Sequence, residues 1–237
     1  MLKLDFSYDR KIDALNWVNT AKDTDPDFGF SYENSVAPIP DDLRRKIIKL
    51  QIDEAVGEVV NYLDSNKRQI LKEHFINLQI SSLTTLWQAK GSELISGIEN
   101  IFGRFDDNDE LVAYLTTLYI CDYDFSQKYF YLSLYHSLPK NFTIIAHELS
   151  HFLFYRDYQK YCLDQGLNEK QFQDLKESTT VLLNEKEFAN ILLIEDQGYG
   201  PHQVLRNFII NSWQKNLSLK VVVDEAIEFI TKNQVKD

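Results

Sequence analysis

The chain is short of the residues that mark cross-linked, membrane-spanning or nucleic-acid-binding proteins. Among its 237 residues there are two cysteines. Cys121 and Cys162 form no C-x-x-C pair, so no disulfide framework is implied and both read as reduced core thiols. No stretch approaches the ~18 apolar residues of a membrane span. The opening residues Met1–Arg10 lack the apolar core of a signal peptide. The expected location is therefore cytoplasmic, with no membrane partner. Basic residues are outnumbered, 25 Lys and Arg against 36 Asp and Glu, for a net charge of −11. Phosphate binding needs a basic face, so no nucleic-acid partner is expected. The acidic residues are dispersed (Asp23–Asp27, Asp106–Glu110, Glu185–Glu187), which suits solubility and not a disordered tail. Glycine and proline number only eight and five. None falls within residues 141–165, where a helix can run uninterrupted. There is no internal repeat or low-complexity segment.

What is present fits a globular protein. Hydrophobic residues make up 44% and charged residues 26%, ordinary values in a length that suits one large domain or two small ones. Residues 2–8 alternate (Leu2, Leu4, Phe6, Tyr8) as a short strand does, and a helix is predicted over 9–21 around Ile12, Leu15 and Val18. Pro26, Gly29, Pro38 and Pro40 mark 23–40 as a loop. Asp41 or Asp42 is expected to cap a long helix through Leu63, with more helix over 66–79 and 81–102, interrupted near Gly91. Beyond Arg104 the composition changes. Leu111–Cys121 and Tyr129–Tyr135 read as strands joined by a hairpin over 122–128. Helices follow: one starting near an Asn141 cap and stopping at Gly166, one opened by an Asn168–Gln171 capping box and running to about 194, then two near 202–215 and 219–233. The expected class is α+β, mostly helical, with a helical region 1–104 and a second region 105–237 packed as one unit. The second region is expected to have a small antiparallel sheet ahead of its first helix.

That first helix carries the densest chemistry in the chain. Its centre reads Ile144-Ile-Ala-His147-Glu148-Leu-Ser-His151-Phe-Leu-Phe154. Residues four apart share a helix face, so His147 and His151 can both reach one metal ion. Glu148, about 100° round the helix, can face a water bound to it. H-E-x-x-H fixes only three residues, and the alternative is a core helix whose histidines bond to backbone or carboxylate groups. The apolar flanks imply a helix buried on most sides, where His and Glu side chains need partners that a metal would supply. The strand Tyr129–Tyr135, if an edge strand, offers a backbone for an extended peptide; otherwise it is an ordinary sheet strand.

Catalytic zinc usually takes three protein ligands. Phe154 and Asp157 stand where the H-E-x-x-H-x-x-G-x-x-H pattern needs Gly and His, which excludes the three-histidine version. A carboxylate from the next helix is the natural substitute, and Glu177 and Glu185 are the candidates. A symmetric helix hairpin about Leu167 puts His151 opposite Leu183, which favours Glu185 and leaves Glu177 about 9 Å too far along the axis. Crossing helices would shift that register.

The order strand, H-E-x-x-H helix, glutamate on the following helix resembles the gluzincin metallopeptidases. The segment Lys176-Glu-Ser-Thr-Thr-Val-Leu-Leu-Asn184 is similar to the third-ligand helix of the ImmA/IrrE-type proteins, and the resemblance covers roughly residues 128–195. It implies a zincin-like catalytic region, Zn²⁺ as cofactor and Glu177 as third ligand, with Thr180 and Asn184 on the same face able to bond to it. Val181 stands where many gluzincins carry the Asp of an E-x-x-x-D continuation, so the carboxylate partner of a ligand histidine is unassigned. Gluzincins also place a Tyr or His over the metal to stabilise an oxyanion. In Asp196-Gln-Gly-Tyr-Gly-Pro-His202 the resemblance points to Tyr199 or His202; the alternative is a turn with a surface His and a packed Tyr. Arg206, one helical turn on, is expected to pair with Asp196 or to meet a substrate carboxylate.

The expected function is a zinc-dependent metallopeptidase acting on a peptide or protein, with Glu148 as general base. The alternative is a zincin-fold regulatory or interaction protein whose proteolysis is selective or absent.

Overall fold

The computed structural model describes residues 2–22, 39–65 and 69–233. Most of the predicted loop over 23–40 thus lies outside the described residues. The fold is α+β, mostly helical with one small mixed sheet. It divides into two compact units, Met1–Ala89 with Asn108–Phe142, and Lys90–Asp107 with Thr143–Asp237. Among the described residues no helix is long and apolar enough to cross a membrane.

The first unit holds the sheet: β1 (Lys3–Ser7), β2 (Glu110–Thr116), β3 (Tyr123–Asp124) and β4 (Tyr129–Ser133), in the order β1-β2-β4-β3. β1 and β4 both run parallel to β2, with Leu4 opposite Leu111 and Leu132 opposite Leu115. The antiparallel sheet expected from the sequence is therefore corrected to a mixed one. The segment between β2 and β4 does not make a simple hairpin between them. It doubles back as β3, which pairs antiparallel with β4 through Tyr123 and Phe130, so β4 resumes the direction of β2. A connection of about a dozen residues is what parallel neighbours need. β4 is consequently no open edge: β2 lies on one side, β3 on the other, and all five of its residues are buried. Such strands read as continuous apolar runs, and Tyr-Phe-Tyr-Leu-Ser shows no alternation for that reason.

Helix α1 (Arg10–Lys22) is tied to the end of β2 by Asp13. Its buried carboxylate accepts from the Thr117 amide (2.8 Å), the Thr117 hydroxyl (2.7 Å) and the Thr116 hydroxyl (2.8 Å). The helix expected from Asp41 to Leu63 is two, α2 (Asp41–Ile47) and α3 (Ile52–Ser65). Lys49 and Leu50 bond to carbonyls three residues back, which tightens the chain between them. Pro40 holds the N-cap position of α2 with no side-chain cap, so neither Asp41 nor Asp42 plays that part. Trp17, Val18, Ile47, Val59 and Leu63 form the core beneath these helices. The break expected near Gly91 is absent, because α4 (Gln69–Phe102) is continuous. One glycine costs a helix only about 1 kcal/mol, too little to interrupt one that buries Leu94 and Ile98.

Helix α5 (Leu138–Asp164) starts three residues before Asn141. Asn141 is therefore not its cap; its side-chain amide donates to the Ser133 carbonyl at 2.9 Å. Gly166 ends α5 as predicted, at φ 97°. The Gly166 and Leu167 amides bond back to Leu163 and Cys162, a Schellman arrangement that satisfies the last carbonyls. The Asn168–Gln171 capping box is formed and opens α6 (Glu169–Thr179). α6 does not continue to 194. It tightens into a 3₁₀ segment, Thr180–Asn184, as Thr179 and Thr180 turn their hydroxyls onto carbonyls three residues back. Two further 3₁₀ turns, Lys186–Phe188 and Gly200–His202, precede α7 (Gln203–Asn216) and α8 (Leu219–Asn233). Phe154, Phe172, Leu175, Phe188, Ile209 and Val222 are buried in this second unit.

Candidate metal centre

α5 presents His147 and His151 one turn apart, their rings 4.3 Å apart edge-on. α6 delivers Glu177 to the same point. Glu177 Oε2 lies 3.4 Å from His147 Nε2, and Oε1 lies 3.1 Å from His151 Nε2. One ligand atom from each of the three residues falls within 4.8 Å of the others. Donors bound tetrahedrally at about 2.0–2.2 Å stand about 3.3–3.6 Å apart, and the carboxylate–imidazole distances of 3.4 and 3.1 Å, one to each carboxylate oxygen, are close to that separation. Two imidazoles and a carboxylate leave a fourth position for water or substrate. His147, His151 and Glu177 thus form a group able to hold a metal ion.

Helix counting on a symmetric hairpin favours Glu185, and the structure brings Glu177 to the histidines instead. His151 lies thirteen residues before the end of α5 and Glu177 eight residues into α6, a difference of about 7–8 Å along the axes. The connection over residues 165–168 and the packing of the two helices take up that offset, since the Glu177 carboxylate reaches both histidines. Phe172 fills the contact, stacked on Phe154 and edge-on to Tyr155. Glu185 sits beyond α6, in extended conformation between two 3₁₀ segments, and is not part of the ligand group.

The ring of His147 is oriented from behind. Asp196 Oδ2 lies 2.7 Å from Nδ1, so Nδ1–H donates to the carboxylate and Nε2, facing Glu177, is the nitrogen left to bind a metal once it gives up its proton. Asp196 is the partner that the sequence left unassigned. It comes from the loop after α6, where no helical spacing announces it. The side-chain amide of Asn184 clasps both backbone groups of Asp196, at 2.8 and 2.7 Å. Thr180 Oγ1 lies 2.9 Å from Asp196 Oδ1. Thr180 and Asn184, expected on the carboxylate of Glu177, hold Asp196 instead; Thr180 meets only the Glu177 backbone carbonyl. Arg206 pairs with Asp196 Oδ1 at 2.9 Å, the first of its two expected roles.

Lys176 was not anticipated. It is fully buried and sets Nζ 3.0 Å from Glu177 Oε1. The only hint was its place beside Glu177, ordinarily the mark of a solvated helix face. Burial opposes ionisation of Glu177, but His151 and Lys176 outweigh it and hold the carboxyl well below its usual range. Burial also opposes protonation of His147, yet Asp196, Glu177 and the nearby Glu148 push its pKa up to about 10. For His151 burial prevails and pushes the pKa down to about 3. Glu148 itself is buried on the same helix.

His202 is buried, with Nε2 3.1 Å from Asp174 Oδ1, and Tyr199 packs edge-on against its ring at 5.8 Å. Neither belongs to the ligand group. Comparisons with protein-family models, curated proteins and solved structures gave no match, so the site rests on the chain's own geometry.

Proposed function

We propose that this chain is a zinc-dependent metallopeptidase of gluzincin-like design. The convergence of His147, His151 and Glu177 donors within 4.8 Å carries the reading, together with a buried Glu148 next to the first histidine. His147, His151 and Glu177 would hold Zn²⁺. When bound, Zn²⁺ supplies Lewis acidity and lowers the pKa of water from ~15.7 toward ~7. Glu148 takes the proton from the attacking water and hands it to the leaving amine. Asp196 keeps the His147 tautomer that presents Nε2. Tyr199 and His202 remain the residues offered by the resemblance for the oxyanion, and peptides or proteins the substrate class.

Metal analysis of purified protein beside His151→Ala is the first test, with peptide-library cleavage measured with and without chelator. Glu148→Gln should keep its zinc and lose hydrolysis, by 10²-fold or more if general-base catalysis is its part, about the usual value. Full activity in that variant would remove Glu148 from the mechanism.

A second reading has an observation of its own. The side chains of His151 and Glu177 are exposed by only 1% and 7%, little access for a long peptide. That favours a zincin-fold regulatory or interaction protein with narrow or no proteolysis. Bound zinc with no cleavage of any library peptide would select it.

A further inference from the structure

Arg206 lies outside the ligand group yet touches the segments that carry it. Its side chain is 2% exposed. Nη2 donates to the Asp196 backbone carbonyl at 2.6 Å and sits 2.9 Å from Asp196 Oδ1. Nη1 donates to Thr180 Oγ1 at 2.8 Å and reaches the Glu177 carbonyl at 3.5 Å. The other carboxylate oxygen of Asp196, Oδ2, is the one on His147 Nδ1. Gly198, at φ 58°, lets the loop pass over the guanidinium, since a Cβ there would lie 2.5 Å from Nη1. The end of α6, the Asp196 loop and the first turn of α7 therefore meet at one planar fork. A guanidinium supplies donors in those fixed, divergent directions; an ammonium supplies a point charge.

We propose that Arg206 is a positioning residue for the metal-ligand group: it seats Asp196 so that Oδ2 fixes the His147 ring, and metal retention depends on it. This rests on reading the His147–His151–Glu177 group as a metal site. Loss of a carboxylate that orients a ligand histidine typically weakens metal binding about 10–100-fold, and Arg206 acts one contact further out.

The test measures zinc affinity by chelator competition in the full-length wild type, Arg206→Met and Arg206→Lys. In parallel, NMR follows the His147 Nδ1–H proton in the metal-free proteins. Arg206→Met should weaken zinc about 10-fold or more and shift or broaden the His147 signal, and Arg206→Lys should restore part of both. Unchanged affinity in Arg206→Met overturns the proposal. So does weakened binding with an unmoved His147 signal, because Arg206 would then act by a route other than Asp196. Should Arg206→Met not fold, Gly198→Ala displaces the guanidinium without removing it; unaltered affinity and signal there overturn the proposal as well. A wild type that binds no zinc defeats the metal reading itself, while the His147 signal still decides the part played by Arg206.

Discussion

Replacing Lys176 by Met is the sharpest perturbation of the site, because it removes a charge and almost no volume. The Lys176 side chain is completely buried and its partner carboxylate 7% exposed, at 3.0 Å. Two unit charges at that distance attract by about 5 kcal/mol at an effective dielectric near 20. Removing the cation also removes its own desolvation cost, so the whole of that attraction is not lost. What remains is a buried carboxylate beside two imidazoles. Deleting one member of a buried pair costs about 3–5 kcal/mol. At a urea slope of about 2–3 kcal/mol/M this moves the metal-free midpoint down by about 1–2.5 M. A divalent cation would take over compensation of Glu177, and Lys176 would no longer repel it. The zinc-induced rise in midpoint should therefore be larger in the variant than in the wild type. Urea titrations with chelator and with excess zinc read both effects. A metal-free midpoint within about 0.3 M of wild type, or equal zinc-induced rises, would refute the reasoning.

Two further outcomes are expected. Asp13→Ala leaves the Thr117 amide and the hydroxyls of Tyr8, Thr116 and Thr117 without this acceptor, and should cost about 2–3 kcal/mol in equilibrium unfolding; Asp13→Asn, which keeps an acceptor, should cost less, and near-wild-type stability for the alanine variant would count against the anchoring role. The pH profile of the metal-free protein should peak near pH 6.5. His147, raised from 6.5 to about 10, contributes stability that is full below 6.5 and lost as pH climbs toward 10. His151, lowered to about 3, contributes stability that is full above 6.5 and lost as pH falls toward 3. Zinc affinity should rise along the alkaline limb, as the proton leaves His147. Stability that stays level from pH 6.5 to 10 would contradict the His147 assignment.

Much of the local structure was legible because its causes are local. The Gly166 stop and the Asn168–Gln171 box appear where their residues predict, since a positive φ and a reciprocal cap depend on a few neighbours. Where a local signal met a larger burial term, burial prevailed. Gly91 did not break α4, and Asn141 fell inside α5 as a bond to Ser133. Strand direction was beyond the sequence because Tyr129–Ser133 carries the same side chains whichever way its neighbour runs. Only the return of the chain through β3 makes β2 and β4 parallel.

At the site the division is similar. The sequence by itself determined that His147, Glu148 and His151 belong together, because a helix imposes a four-residue period on any chain that forms it. Only the tertiary structure decided between Glu177 and Glu185, since the choice turns on how two helices pack and on where α6 gives way to a 3₁₀ turn. It also decided that Asp196 stands behind His147, that Arg206 seats Asp196, and that Lys176 is buried against Glu177. Those contacts join a loop and helices far apart in sequence, and no spacing rule connects them; burial does, because charges removed from water must find one another.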